Sequence, residues 1–327
     1  MMKWKKSMAI MMAGCMTMGL LGGCGSKNGS GDSSAQNSDA FSIGYVNLAD
    51  TDVFCMSREN ALKAVVDDSR YSISFTDGNN DNQKQLDQAN SFLAKNVDLL
   101  MLVPADSEAI TPAIDAANQK GTPVICFGIR ANSGEYTFVG SDDTEAGKLQ
   151  GEYMAENLPE NAKILYCAGS EGYQQTTQRR DGFKEALESA GRTDVEILDE
   201  QSGEYDKSKA MEVCDSWIQS FSDGSGGVEF DAIVCANDQM ALGCAESLKG
   251  AGILKGNNEV LISGVDGTDD GIAAVKEGNM AQTVLQDAQG QAEAAYEAIQ
   301  TIDNGEEPEE EYIVPFQSIT KENVDEM

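Results

Sequence analysis

Eight short apolar runs, most of them rich in β-branched residues, recur along the chain from Phe41 onward, each followed by a longer stretch of helical periodicity. The runs fall at residues 42–47, 72–76, 97–103, 123–127, 163–167, 195–199, 232–235 and 260–264. Between them, segments such as 82–95 and 206–221 place apolar residues three and four apart. Repeated βα units of this kind imply parallel sheets with right-handed crossovers. The runs are apolar throughout rather than alternating, which predicts sheets covered by helices on both faces. So many units exceed one comfortable domain. The stretch Tyr136-Thr137-Phe138-Val139-Gly140-Ser141-Asp142-Asp143 restarts the pattern after the fourth run. Two similar α/β lobes are expected, each a parallel sheet flanked by helices.

Ahead of this pattern, residues 1–23 carry Lys3, Lys5 and Lys6, no acid, and then an apolar run at 7–23. That is the basic n-region and h-region of an export signal, slightly short for a bilayer span. Its end, Leu21-Gly22-Gly23-Cys24, resembles the lipobox of bacterial lipoproteins. The resemblance implies cleavage before Cys24 and diacylglycerol on its sulfur, an ordinary signal peptide being the alternative. Residues 24–40, rich in Ser, Gly, Asn and Asp, read as a flexible tether.

Charge narrows the function. The 327 residues include 23 Lys plus Arg against 55 Asp plus Glu, a formal charge of −32, so phosphate polyanions are repelled and nucleic acid is excluded as a partner. There is no histidine, which removes Ser-His-Asp and Cys-His catalysis and His-ligated metals. Of eight cysteines, Cys15 lies in the signal and Cys24 in the lipobox. The other six lie in strand-like or helix-like runs with no CxxC, so buried free thiols are expected, with structural disulfides the alternative for an exported chain.

If two such sheets face one another, residues just after each strand line a shared cleft. Those positions hold Asp50, Asp52 and Phe54, then Gln201 to Tyr205, Asn237-Asp238, Asp266 and Gln286, with Arg179 and Arg180 opening a helix. Short carboxylates, amides, an arginine and aromatics suit a neutral polyol, whose hydroxyls pair with the former and whose C–H faces stack on the latter. A phosphate site would want glycine-rich amides and lysine, and no Walker sequence is present. Helix capping alone would also account for Asn237-Asp238 and for Asp266.

The match then becomes specific. Ala236-Asn237-Asp238-Gln239-Met240-Ala241-Leu242-Gly243, Gly264-Val265-Asp266-Gly267-Thr268, Thr283-Val284-Leu285-Gln286, Thr137-Phe138-Val139-Gly140-Ser141-Asp142 with Ala146-Gly147, and Asp77-Gly78-Asn79-Asn80 with Gln83-Lys84-Gln85 occur in order. The chain from about Ser42 to its end resembles the bacterial periplasmic sugar-binding proteins, the galactose/glucose type first and the ribose type next. The resemblance implies the type I fold of periplasmic binding proteins, with 41–140 plus 287–314 as one lobe, 141–286 plus 315–327 as the other, and three hinge crossings near Val139, Gln286 and Val314. It implies that Asp52 accepts from ring hydroxyls, Phe54 stacks, Arg179 donates to the ring oxygen or a neighbouring hydroxyl, and Asn237 and Asp266 bind further hydroxyls. Tyr205 stands where the family has a stacking tryptophan, and Gln286 stands near the hinge.

The chain also departs from the pattern. After Val124-Ile125-Cys126-Phe127 the family places Asn or Asp followed by Lys or Arg, whereas here Gly128-Ile129-Arg130 follows, so Arg130 is the candidate replacement cation. Tyr173 and Gln175 take the places of a histidine and an aspartate. The calcium loop is replaced by Leu158-Pro159-Glu160-Asn161-Ala162. Asp266 to Gly271 with Glu277 imitates an EF-hand loop but follows a strand and has Thr268 at its third position, so no metal and no cofactor are expected. The expected function is capture of a neutral monosaccharide by a monomeric, extracytoplasmic, lipid-anchored protein that delivers it to an ABC permease. A sensor presenting its closed form to a chemoreceptor or histidine kinase, a glycosidase using Asp52 and Asp266, and a repressor of the same fold are the competing readings.

Overall fold

The computed structural model describes residues 40–254 and 260–326, so the signal peptide, Cys24 and the tether up to residue 39 lie outside the described residues. In chain order the first sheet receives β1 (Phe41–Asn47), β2 (Tyr71–Asp77), β3 (Leu99–Leu102), β4 (Val124–Phe127) and β5 (Thr137–Gly140), linked by α1 (Val53–Val65), α2 (Asn82–Ala94) and α3 (Thr111–Lys120). The second receives β6 (Lys163–Ala168), β7 (Glu196–Ser202), β8 (Ala232–Cys235), β9 (Leu261–Asp266) and β10 (Gln282–Leu285). Their helices are α4 (Asp143–Asn157), α5 (Gln174–Ser189), α6 (Lys207–Ser220), α7 (Asp238–Gly250) and α8 (Asp269–Glu277). The chain then returns through α9 (Ala288–Asp303) to β11 (Glu311–Ile313) in the first sheet and ends with β12 (Gln317–Thr320) in the second.

Strand orders are β2-β1-β3-β4-β5-β11 and β7-β6-β8-β9-β10-β12, the same winding twice. In each sheet the order reverses between the first and third strands of its set, where α/β folds open a crevice. The backbone passes between the lobes after β5, after β10 and between β11 and β12. β12 pairs antiparallel with β10, an exception to the otherwise parallel pairing.

The continuous apolar runs have the predicted cause. Ile43, Tyr45, Leu99, Met101, Ile125 and Phe127 face α1 and α9, while Val46, Leu100, Leu102, Val124 and Cys126 face α2 and α3. In the second sheet Leu165, Cys167, Ile233 and Cys235 meet α6 and α7, and Ile164, Tyr166, Ala232 and Val234 meet α4 and α5. The edge strands differ from the expected all-apolar pattern. β2 and β7 are mostly half-buried, with polar residues interleaved, because an edge strand has a neighbour on one side only. All six described cysteines are free and buried.

Helices α4 and α5 cross at backbone contact. A Cβ on Gly147 would lie 1.9 Å from the Arg179 carbonyl oxygen, one on Gly151 2.6 Å from that of Phe183, and one on Gly182 2.2 Å from that of Thr144. Backbone cannot yield as a flexible side chain can, so Gly147→Val is expected to lower unfolding free energy by about 2 kcal/mol or more in chemical denaturation. Gly250→Ala, with open space around its Cβ position, should leave the midpoint unchanged or slightly raised. Equal midpoints for Gly147→Val and the parent protein would contradict this packing.

Candidate functional site

Between the two sheets lies a cleft of about 320 Å³, within the range of small-molecule sites. Nine residues singled out from sequence line it: Asp52, Phe54, Tyr173, Gln175, Arg179, Tyr205, Asn237, Asp266 and Gln286. Asp52, Tyr173, Tyr205, Asn237, Asp266 and Gln286 lie at or shortly after the ends of β1, β6, β7, β8, β9 and β10, the positions that facing sheets present to one another, while Phe54 is in the first turn of α1 and Gln175 and Arg179 are in α5.

The second sheet's wall is organised around Arg179. Its Nε and Nη2 lie 2.8 and 2.7 Å from Asp143 Oδ1, Nη1 donates to the Ala236 carbonyl at 2.6 Å, and Asp266 Oδ1 is 3.9 Å from Nη1. Burial works against the charge on the guanidinium, but Asp143, Tyr205 and Asp266 outweigh it and hold Arg179 protonated. Burial also pushes the Asp143 carboxyl up, and pushes Asp266 well above the usual range, with Arg179 opposing in both.

Backbone strain collects at the same wall. Asp266 has φ +120°, Glu204 +54° and Tyr205 +59°, a left-handed region that side chains other than glycine seldom adopt. Tyr205 stacks on Tyr173 with ring centroids 6.0 Å apart, and its hydroxyl is 2.8 Å from Thr176 Oγ1. Tyr173 reaches the opposite lobe, its hydroxyl donating to Asn80 Oδ1. Gln175 leaves its Oε1 without a hydrogen-bond partner. Gln286 is buried where the chain leaves β10, its N–H bonded to the Asp266 carbonyl at 3.0 Å.

Capping and lining coexist. Asn237 caps α7 through Met240 N at 3.0 Å, and Asp52 caps α1 through Cys55 N at 2.7 Å, while both line the cleft. Asp266 does not cap α8; Thr268 does. Asp238 sits beneath the cleft, accepting from Thr283 Oγ1 at 2.7 Å, Thr268 N at 2.8 Å and Thr268 Oγ1 at 3.0 Å.

Arg130 is not among the residues lining the main cleft. It lines an adjoining recess of about 10 Å³ that shares Gly128, Ile129, Asp143 and Gln175 with the cleft, lies 3.7 Å above the Phe138 ring and pairs with Glu311 at 2.5 Å. Glu204, within the segment expected to follow β7 into the cleft, also lines it, whereas Arg58, Asn80, Asp143 and Asp206 line it without having been assigned to it from sequence. For Arg58 a signal existed. Cys55, Arg58, Glu59 and Leu62 form the buried face of α1 at helical spacing, and two charges on such a face are unusual. Among the described residues one cluster has metal-ligand spacing, the thiols of Cys167, Cys235 and Cys244, all wholly buried in the second lobe's core.

Burial raises Asp238 from 3.8 to about 6, its threonine hydrogen bonds opposing. The folded state therefore binds more protons than the unfolded chain between pH 3.8 and about 6, so stability falls as pH rises through that window. Asp266 adds in the same direction. Thermal unfolding is expected to show a higher midpoint at pH 5 than at pH 7, with Asp238 contributing about 1 kcal/mol. A lower midpoint at pH 5 would contradict these protonation states.

Comparison with known proteins agrees with this geometry. The family model described as a periplasmic binding protein domain matches residues 43–307. The ribose import binding protein of Haemophilus influenzae is 32% identical over 78% of this chain and 82% of its own, and the putative rhizopine-binding protein of Rhizobium meliloti is 29% identical over 77% and 81%. The solved structure of an ABC transporter solute-binding protein from Bacillus halodurans, with bound myo-inositol, superposes with a TM-score of 0.80 at 28% identity, covering 89% of this chain and 98% of that one. In fold and over most of its length, this chain belongs to the periplasmic binding protein family.

Proposed function

We propose that the protein is an extracytoplasmic solute-binding component of an ABC importer, anchored by lipid on Cys24, that captures a neutral monosaccharide or related polyol between its lobes. The observation that carries the reading is the makeup of the cleft: strand-end carboxylates and amides from both sheets, two arginines and aromatic rings around one hollow. With Asp143 paired to Arg179, the remaining carboxylates Asp52, Glu204 and Asp206 outnumber Arg58, which disfavours an anionic ligand. The ligands in the names of the relatives, ribose, rhizopine and myo-inositol, are consistent with a polyhydroxylated ring.

In this reading Asp266 and Asn237 accept from and donate to hydroxyls on the second lobe's side, Arg179 adds a donor, and Asp52 accepts from the first. Phe54, Tyr173 and Tyr205 cover ring faces, while Gln175 and Gln286 complete the polar lining. Residues 41–140 with 287–314 move as one body and 141–286 with 315–327 as the other. A ligand that touches both lobes only when they are closed shifts the population toward the closed form, which a permease then engages. The monomer, held near the membrane by its tether, needs no further cofactor.

Thermal-shift titration with D-ribose, D-galactose, D-glucose and myo-inositol tests this. A ligand at a hundredfold excess over Kd adds about 2.7 kcal/mol to the folded state. At least one sugar should raise the midpoint, ATP should not, and Asp266→Ala should weaken binding by about a hundredfold or more. A response to ATP matching the best sugar, or none to any polyol in a broad panel, would contradict the assignment.

A further inference from the structure

Arg58 carries a charge that the rest of the protein leaves unanswered. The side chain is 2% exposed, yet among the described residues no carboxylate lies within 4.0 Å of its nitrogens. Its buried Nε has no hydrogen-bond partner, and its other nitrogens have only long contacts, 3.4 Å from Nη1 to Gln291 Oε1 and 3.7 Å from Nη2 to Cys55 Sγ. The neighbouring carboxylate on the helix, Glu59, is taken by Lys63 at 2.6 Å and by Asn47 at 3.1 Å. What surrounds the guanidinium is aromatic: the Phe127 ring centroid at 4.7 Å and that of Phe54 at 5.6 Å.

Its location is as specific as its isolation. Arg58 lines the cleft, and a Cβ on Gly128 would lie 1.5 Å from its Nη1. The guanidinium thus fills the volume that a side chain at the end of β4 would occupy, and Gly128, with φ +83°, is what leaves the space free. Gln291, the acceptor of the long contact, is itself fixed by donating to Ser141 Oγ at 2.8 Å, at the crossing that follows β5.

The geometry points to Arg58 as the residue that selects the ligand from the first lobe, taking two adjacent oxygens of the bound polyol in its donor fork. This rests on the reading that the cleft holds a neutral polyol and narrows the class: the edge facing Arg58 carries vicinal acceptors, either two neighbouring hydroxyls or a ring oxygen beside a hydroxyl. Guanidinium has donors only and a planar spacing suited to paired oxygens, so an ammonium or a bare methylene on that edge is rejected. A buried cation held for a ligand is a burden to the empty protein, and an apolar side chain of similar volume relieves it.

Calorimetric titration and ligand-free thermal unfolding of the parent protein, Arg58→Met and Arg58→Lys, using D-ribose, D-galactose, D-glucose, myo-inositol and their monodeoxy forms, test the inference. The ligand-free midpoint of Arg58→Met should equal or exceed that of the parent, and its Kd for the best polyol should rise by about tenfold or more. Arg58→Lys, a single-point donor, should lose affinity by a similar factor. One monodeoxy form should bind the parent about tenfold more weakly while losing little further in Arg58→Met. A lower ligand-free midpoint in Arg58→Met would make Arg58 a strut of the fold and overturn the inference. So would less than a tenfold loss in both variants, or no monodeoxy form that distinguishes parent from variant. If the parent binds no polyol at all, the proposed function falls first and this inference with it.

Discussion

The guanidinium of Arg179 touches Asp143 at the start of α4 and the Ala236 carbonyl just beyond β8, with Asp266 at the end of β9 3.9 Å away. One buried cation therefore joins the helix on which it rides, the first crossing between the lobes and two strand ends. Removing one member of such a set leaves an uncompensated buried charge, which is far more damaging than the net worth of the pair suggests. Its position is fixed in turn by the glycine-mediated contact of α4 with α5, where Gly147 meets the backbone of Arg179 itself. The packing that holds the second lobe together is thus also the packing that aims its cleft.

The two sheets repeat one winding, but their contributions differ. The second lobe offers carboxylates whose charge is shared with Arg179, and it holds Tyr205, Glu204 and Asp266 in left-handed backbone conformations. The first offers Arg58, with no carboxylate within 4.0 Å of its nitrogens among the described residues, and Asp52 engaged as a helix cap. Tyr173 bridges to Asn80 at the mouth. An uncharged ring with oxygens around its edge meets both walls without importing a charge of its own.

Much of this was legible in the chain. The apolar runs and their restart at residue 136 carry the two-sheet fold, because strands covered on both faces leave few polar positions. Asp266, Asn237, Tyr205 and Gln286 follow strands directly, so their place in the cleft follows from topology alone. Edge strands were harder: β12 is four residues long, and its antiparallel pairing with β10 depends on contacts remote in sequence. Arg130 read as a cation for the cleft because it follows β4, yet it is engaged by Phe138 and Glu311 at the adjoining recess. Arg58 lies on a helix, where sequence order does not mark the cleft, and only its place between Cys55 and Leu62 on the buried face distinguishes it. Asn237 was readable either as a cap or as a ligand group; its side-chain Oδ1 accepts from Met240 N as the cap, and the residue also lines the cleft.

The most direct measurement is a crystal structure of residues 25–327 grown with the polyol of tightest binding. One sugar molecule is expected enclosed between the sheets, its hydroxyls within hydrogen-bonding distance of Asp266 and Asn237 on one side and of first-lobe groups on the other. A sugar seated on an outer face, or touching one lobe alone with the sheets closed upon an empty hollow, would contradict that arrangement.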